Sequence, residues 1–148
     1  IPEAPAEITD LAEACRRFVL RAVGVALDGT PETLPLVDHY LNASRAELRA
    51  KPETAALVVR AVGAYFGEVV RHRVASFWHM PSDEPDEWEI RLEPVYLSFS
   101  PTAFVLDGRV TGALAGLSRI EGTLRVNTGS AASSTRVAAK LTSYPPCA

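Results

Sequence analysis

A chain of 148 residues has room for one domain and a sizeable hydrophobic core. With 47% hydrophobic and 22% charged residues it has the make-up of an ordinary soluble globular protein rather than of a disordered or collagenous one. A formal net charge of −3 argues against a general nucleic-acid binder, whose affinity comes from neutralising phosphates.

Residues 1–7, IPEAPAE, read as a loose lead-in and residues 8–148 as a single α+β domain. The chain opens on Ile1 rather than Met, so its start is expected upstream or trimmed, and no basic-then-apolar signal sequence is visible. From Ile8 to Leu27 an apolar stripe of Ile8, Leu11, Cys15, Phe18, Val19, Ala22, Val23 and Ala26 predicts an amphipathic helix, with Asp10, Glu13, Arg17 and Arg21 opposite. Asp28-Gly29 is expected to end it, glycine favouring a left-handed cap. Thr30-Pro31 then starts a second helix with Leu34, Val37, Tyr40 and Leu41 on its apolar face, fading by Asn42 to Ser44. RAELRAK is expected to add a further turn or two before the next element.

That element, from Glu53 into the segment that ends at His79, carries the longest helical pattern. Val58, Val59, Val62, Tyr65, Phe66, Val69 and Val70 form one broad apolar stripe, and Ala61, Ala64 and Ala75 make a small-residue face. Such a helix is expected to be packed over most of its girth at the centre of the fold. Arg60 and Glu68 interrupt it as a membrane span, and Gly63-x-x-x-Gly67 reads as close helix packing.

Beyond it, VASFWH and WEIRLEP flank the loop MPSDEPDE. Trp88, Ile90 and Leu92 alternate with Glu89, Arg91 and Glu93, so a hairpin with an acidic tip is predicted, and VYLSFS supplies a third strand. Ser100-Pro101 resembles a helix start, but Asp107-Gly108 is also a hairpin turn, so residues 101–117 are read as helix with a hairpin as the alternative. Ile120 to Val126 alternates like a strand, NTGSAASS is a connector, and TRVAAKLTSY reads as a short helix stopped by Pro145-Pro146.

Chemistry-bearing patterns are sparse. Glu68 and His72 are one helical turn apart, a spacing that lets a carboxylate and an imidazole act as a pair or share a metal, with His79 as a further candidate. The bland reading of the same pair is a structural ion pair, with Glu68 bonded to His72 or a nearby Arg. No metal or cofactor is expected, because a metal site needs three or four ligands and no third partner follows. Asp83, Glu84, Asp86 and Glu87 form an acidic loop without the ligand alternation of a calcium site, most simply a solvated hairpin tip. Trp78 and Trp88 belong to an aromatic set with Phe77, Tyr96 and Phe99 that packs a sheet if buried and anchors a partner if exposed. Cys15 lies on an apolar face as a small hydrophobe, and pairing with Cys147 stays open on count alone. No nucleophile elbow, Walker loop, dinucleotide fingerprint or CxxC pair occurs.

The helix GAYFGEVVRHR leading into a Trp-bearing strand, the FSPTAF junction and the final RVAAKLTSYPP resemble a group of uncharacterised bacterial domains. In that group a GAY-x-GE helix precedes a small sheet and a terminal helix ends in Pro-Pro. The resemblance spans about the last two-thirds of the chain and implies no catalytic residues. Its members tend to continue past the double proline, where this chain ends at Ala148.

Together these readings predict two N-terminal helices and a long central helix packed on a small, mainly antiparallel sheet. The expected function is non-catalytic: a cytoplasmic protein–protein interaction domain, of immunity or accessory-subunit type, with Trp78, Asp83, Glu84, Asp86, Glu87 and Trp88 facing a protein partner. Neither nucleic acid nor membrane is expected as a partner. Two alternatives are a small enzyme or ligand-binding domain with Glu68 and His72 in a pocket, and a structural subunit that self-associates into a homo-oligomer.

Overall fold

Three helices line up along the first half of the chain because its apolar positions repeat at helical spacing and are punctuated by glycine and proline. The computed structural model describes residues 4–84, 87–92, 97–101, 105 and 142–144. Helix α1 runs Ala6–Val23, α2 runs Leu34–Ala50 after a 3₁₀ turn Pro31–Thr33, and α3 runs Pro52–Arg73. Strands β1 (Ser76–His79), β2 (Glu89–Leu92), β3 (Leu97–Phe99) and β4 (Thr142–Ser143) form one sheet in the order β1-β2-β3-β4, every neighbouring pair antiparallel. The architecture is α+β, as the pattern predicts.

The helix ends depart from the sequence reading in informative ways. Helix α1 takes in Ala6 and Glu7 and stops at Gly24, not at Asp28-Gly29. Gly24 is left-handed at φ 82 and its N–H closes the last turn on the Leu20 carbonyl, so the first glycine able to supply the cap ends the helix. The final turn of the expected stripe is lost with it: Ala22 and Ala26 are exposed, whereas Ile8, Ala12, Cys15 and Val19 are buried. Helix α2 does not fade at Asn42 to Ser44 but runs unbroken into the further turns expected of RAELRAK, to Ala50, where the N–H of Lys51 bonds the Leu48 carbonyl and Pro52 opens α3 as its first residue. Ala, Glu, Leu and Arg in that stretch are good helix formers, and no residue before Lys51-Pro52 breaks the ladder. Thr30 does not cap α2 with its side chain. It bonds Asp28 instead, and the Thr33 hydroxyl satisfies the Thr30 carbonyl at 2.7 Å.

Helix α3 is the hub. Residues 61–71 are buried on every side except at Glu68, while much of the first turns from Pro52 is exposed. It ends without glycine: Val74 drops into extended backbone at φ −126, ψ 136, and the chain passes directly into β1. The sheet rests on it through Phe66 and Phe99, whose rings lie 6.1 Å apart, and through Trp78, which covers Gly67. In the ladder Trp78, Ile90 and Phe99 are in register, so these three side chains share the helix-facing side. Trp88, Ile90 and Leu92 are buried as the alternation predicts. The other side carries Phe77, edge-on to Tyr144 at 6.3 Å, with the Arg91 guanidinium 4.7 Å from the Tyr144 ring.

One element is corrected at the C-terminal end. Thr142 and Ser143, read from the sequence as the tail of a helix, form β4 and pair with Ser98 and Leu97. Tyr144 anchors that strand by donating its hydroxyl to the Leu92 carbonyl at 3.0 Å. Pro101 and Val105 are helical and buried, in keeping with a helix start at Ser100-Pro101. The Asp107-Gly108 turn, the Ile120 to Val126 strand, Cys147, Asp86 and Tyr96 lie outside the described residues. Among the described residues no helix is long and apolar enough to cross a membrane.

Candidate functional site

Helices α1 and α3 pack side by side, and the loop after α1 crosses their polar margin. Thr9, Glu13 and Arg16 recur at helical spacing on α1, and Tyr65, Glu68 and His72 do so on α3. Together with Ala12, Asp28 and Gly29 they enclose a cavity of about 240 Å³. Glu68 and His72 thus share a concave site with other polar groups.

The loop wall is built by short-range hydrogen bonds. Asp28 Oδ1 accepts from the Thr30 N–H at 3.0 Å and the Thr30 hydroxyl at 2.6 Å. Those bonds, the side-chain one first, hold the Asp28 carboxyl below its usual range, so it stays ionised near neutrality. Gly29 sits at φ 83, and a Cβ there would approach Arg16 Nη2 to 3.2 Å. Its N–H donates to the Tyr65 hydroxyl at 3.0 Å, which lies 2.6 Å from Thr33 Oγ1. Because the Thr33 proton goes to the Thr30 carbonyl, the Tyr65 hydroxyl is the donor to Thr33. A continuous relay therefore runs Gly29, Tyr65, Thr33, Thr30, and ties the loop to α3. Burial pushes the Tyr65 phenol upward despite those bonds.

Arg16 crosses the cavity floor. Its Nη1 donates to the Leu27 carbonyl at 2.8 Å and its guanidinium lies 5.7 Å from the Tyr65 ring centroid. Nε is 3.3 Å from Glu13 Oε1, close enough for charge attraction, yet it is buried without a well-aligned hydrogen bond.

Glu68 faces two ways. Oε1 accepts from Arg71 Nε at 3.1 Å and from the Trp78 indole at 2.7 Å, and Oε2 accepts from Arg71 Nη2 at 2.8 Å. The Arg71 side chain is 7% exposed and that of Glu68 18%, so this fork is largely shielded from water. His72 donates Nδ1–H to the Glu68 backbone carbonyl at 2.7 Å, because a carbonyl can only accept. When the ring is neutral, this tautomer leaves a lone pair on Nε2. Its Nδ1 is 3.8 Å from Glu68 Oε2, so the carboxylate's main partners are Arg71 and Trp78 rather than the imidazole.

The remaining candidates scatter. His79 ends β1 opposite Glu89 and His39 is exposed on α2; neither lines the cavity. Among the described residues no group of three or more His, Cys, Asp or Glu side chains could hold a metal ion. Trp88 is 7% exposed and donates its indole N–H to the Ser82 carbonyl, so its ring packs the core. Trp78 is half-buried over Gly67. Asp83, Glu84 and Glu87 are exposed at the hairpin tip, which is braced by the Glu87 N–H on the Glu84 carbonyl and by Ser82 on Glu87. Ala61 and Ala64 are buried within the chain, and Cys15 is a buried free thiol.

Sequence reasoning singled out Glu68 and His72 but not Thr9, Glu13, Arg16, Asp28 or Tyr65 as site residues. The available signal was the matched spacing of polar side chains along the margins of two apolar stripes. No family model, curated protein or solved structure matches this chain.

Proposed function

We propose that this domain binds a small polar molecule in the cavity between α1 and α3. The observation that carries the reading is the convergence of Glu13, Arg16, Asp28, Glu68 and His72 on one concave site of about 240 Å³, with side chains already fixed by hydrogen bonds or ion pairs. Preorganised polar groups around a cavity are what a ligand site requires. When neutral, the His72 ring also offers Nε2 as an acceptor to a bound molecule. A cytoplasmic setting is part of the proposal and accords with the free thiol of Cys15, as is membership of the GAY-x-GE group.

The test is thermal unfolding of the full chain against a panel of small metabolites. A ligand at 100 times its Kd adds about 2.7 kcal/mol, which at this size raises Tm by roughly 5–10 °C. The rise should vanish in Thr9→Trp, which fills the cavity mouth from an exposed position. A panel without any shift overturns the reading.

A second reading is favoured by the braced acidic tip: docking of Asp83, Glu84 and Glu87 on a basic protein surface. It predicts that a partner captured by the wild type is lost by Asp83→Lys/Glu84→Lys and retained by Thr9→Trp.

A further inference from the structure

We infer that the ligand of this cavity is a small organic cation, an aliphatic primary amine or guanidine. The inference rests on the cavity being a binding site and follows from which hydrogen-bonding groups on its wall are already committed. Three carboxylates line it, Glu13, Asp28 and Glu68, against one permanent cation, Arg16. Each carboxylate keeps acceptor capacity. Asp28 receives both Thr30 bonds on Oδ1, leaving Oδ2. Glu13 meets Arg16 through Oε1, leaving Oε2. Glu68 Oε2 takes the Arg71 bond and has a second lone pair. His72 adds an acceptor at Nε2 when neutral, since Nδ1–H is used on the Glu68 carbonyl.

Donors are scarcer. The Tyr65 hydroxyl proton goes to Thr33 and the Thr9 hydroxyl faces the Pro5 carbonyl at 3.4 Å, so the free donors come from one side chain, Arg16, whose Nη1 bonds Leu27 and whose Nε, 3.3 Å from Glu13 Oε1, has no well-aligned partner. Arg71 offsets Glu68 and Arg16 offsets Glu13, so the Asp28 carboxylate leaves the wall net negative, and an anionic ligand could reach donors only by competing with Glu13 for Arg16. An ammonium or guanidinium carries only donors, three and five of them, and matches the wall. A volume of about 240 Å³ equals roughly eight waters at about 30 Å³ each, which suits a short chain bearing one or two such groups.

Isothermal titration of the full chain with putrescine, agmatine, succinate and 1,4-butanediol tests this. The two amines should bind, with the dianion and the neutral diol at least tenfold weaker. Glu13→Gln/Asp28→Asn should weaken amine binding tenfold or more. Asp83→Asn/Glu84→Gln, which changes net charge equally but on the hairpin tip, should leave it within twofold. Equal loss in both double variants would mean attraction to the overall negative charge and overturns the inference. Tighter binding of succinate or butanediol, or a panel hit that is not a cation while both amines fail, overturns the cation class and leaves the cavity reading intact. Silence from all four probes and from the wider panel removes both.

Discussion

At Tyr65 the hydroxyl accepts from Gly29 and donates to Thr33, so removing that one oxygen strands the buried Thr33 hydroxyl and the half-buried Gly29 N–H. A buried group left without its partner costs about 1–3 kcal/mol. Tyr65→Phe should therefore lower the urea midpoint by that equivalent with an unchanged m-value. Glu68 makes a parallel case one turn further along α3. Glu68→Ala takes the carboxylate from both the Trp78 indole and the Arg71 fork and should cost about 1–3 kcal/mol. Glu68→Gln retains one acceptor oxygen and should cost less, an ordering that chemical denaturation can rank. Glu68 was legible in the sequence because its spacing to His72 is helical. A nearby Arg as its partner was legible as well, and Arg71 takes that place; the Trp78 indole was not, since it comes from a strand whose packing over Gly67 no local pattern reveals.

Between elements, the joint of α3 and the sheet is set by Gly67. A Cβ there would overlap the Trp78 ring and come within 3.3 Å of Pro101 Cγ. Overpacking of this kind costs about 1–3 kcal/mol, whereas replacing glycine inside a helix returns about 1 kcal/mol of propensity. Gly67→Ala should thus be mildly destabilising and Gly67→Val clearly more so, with Tm falling in that order. The sequence made α3 readable because valine, tyrosine and phenylalanine recur on one stripe, and β2 readable because Trp88, Ile90 and Leu92 alternate. Boundaries were less so. Two glycines followed α1, and which of them ended it depended on Gly24 reaching the Leu20 carbonyl first. At the other end, Thr142-Ser143 looked helical in local pattern, yet the free edge of β3 captured it, a tertiary preference overriding a local one.

For the whole molecule, the core couples stability to alkaline pH. Burial pushes the Cys15 thiol from 9.0 up to about 12, with nearby Arg16 pulling weakly the other way. The native state keeps this proton where the unfolded chain releases it. The contribution is therefore complete below pH 9.0 and is lost as pH climbs toward about 12. Urea unfolding at stepped pH should show a shallower alkaline decline in Cys15→Ala, the residual slope coming from Tyr40 and Tyr65, whose phenols burial also raises. In a Cys147→Ser background, Cys15 should resist thiol reagents until denaturant is added. The cavity is likewise a property of the assembled molecule. Its walls come from positions far apart in the chain, and only the packing of α1 against α3 brings Glu13 and Arg16 to the same cavity as Glu68 and His72. The bond from the Trp78 indole to Glu68 has an optical consequence. A fluorophore fastened to a wall carboxylate senses changes in that carboxylate's surroundings. With Trp88 replaced by phenylalanine, the emission of the sole remaining tryptophan would report on occupancy, without any attached dye.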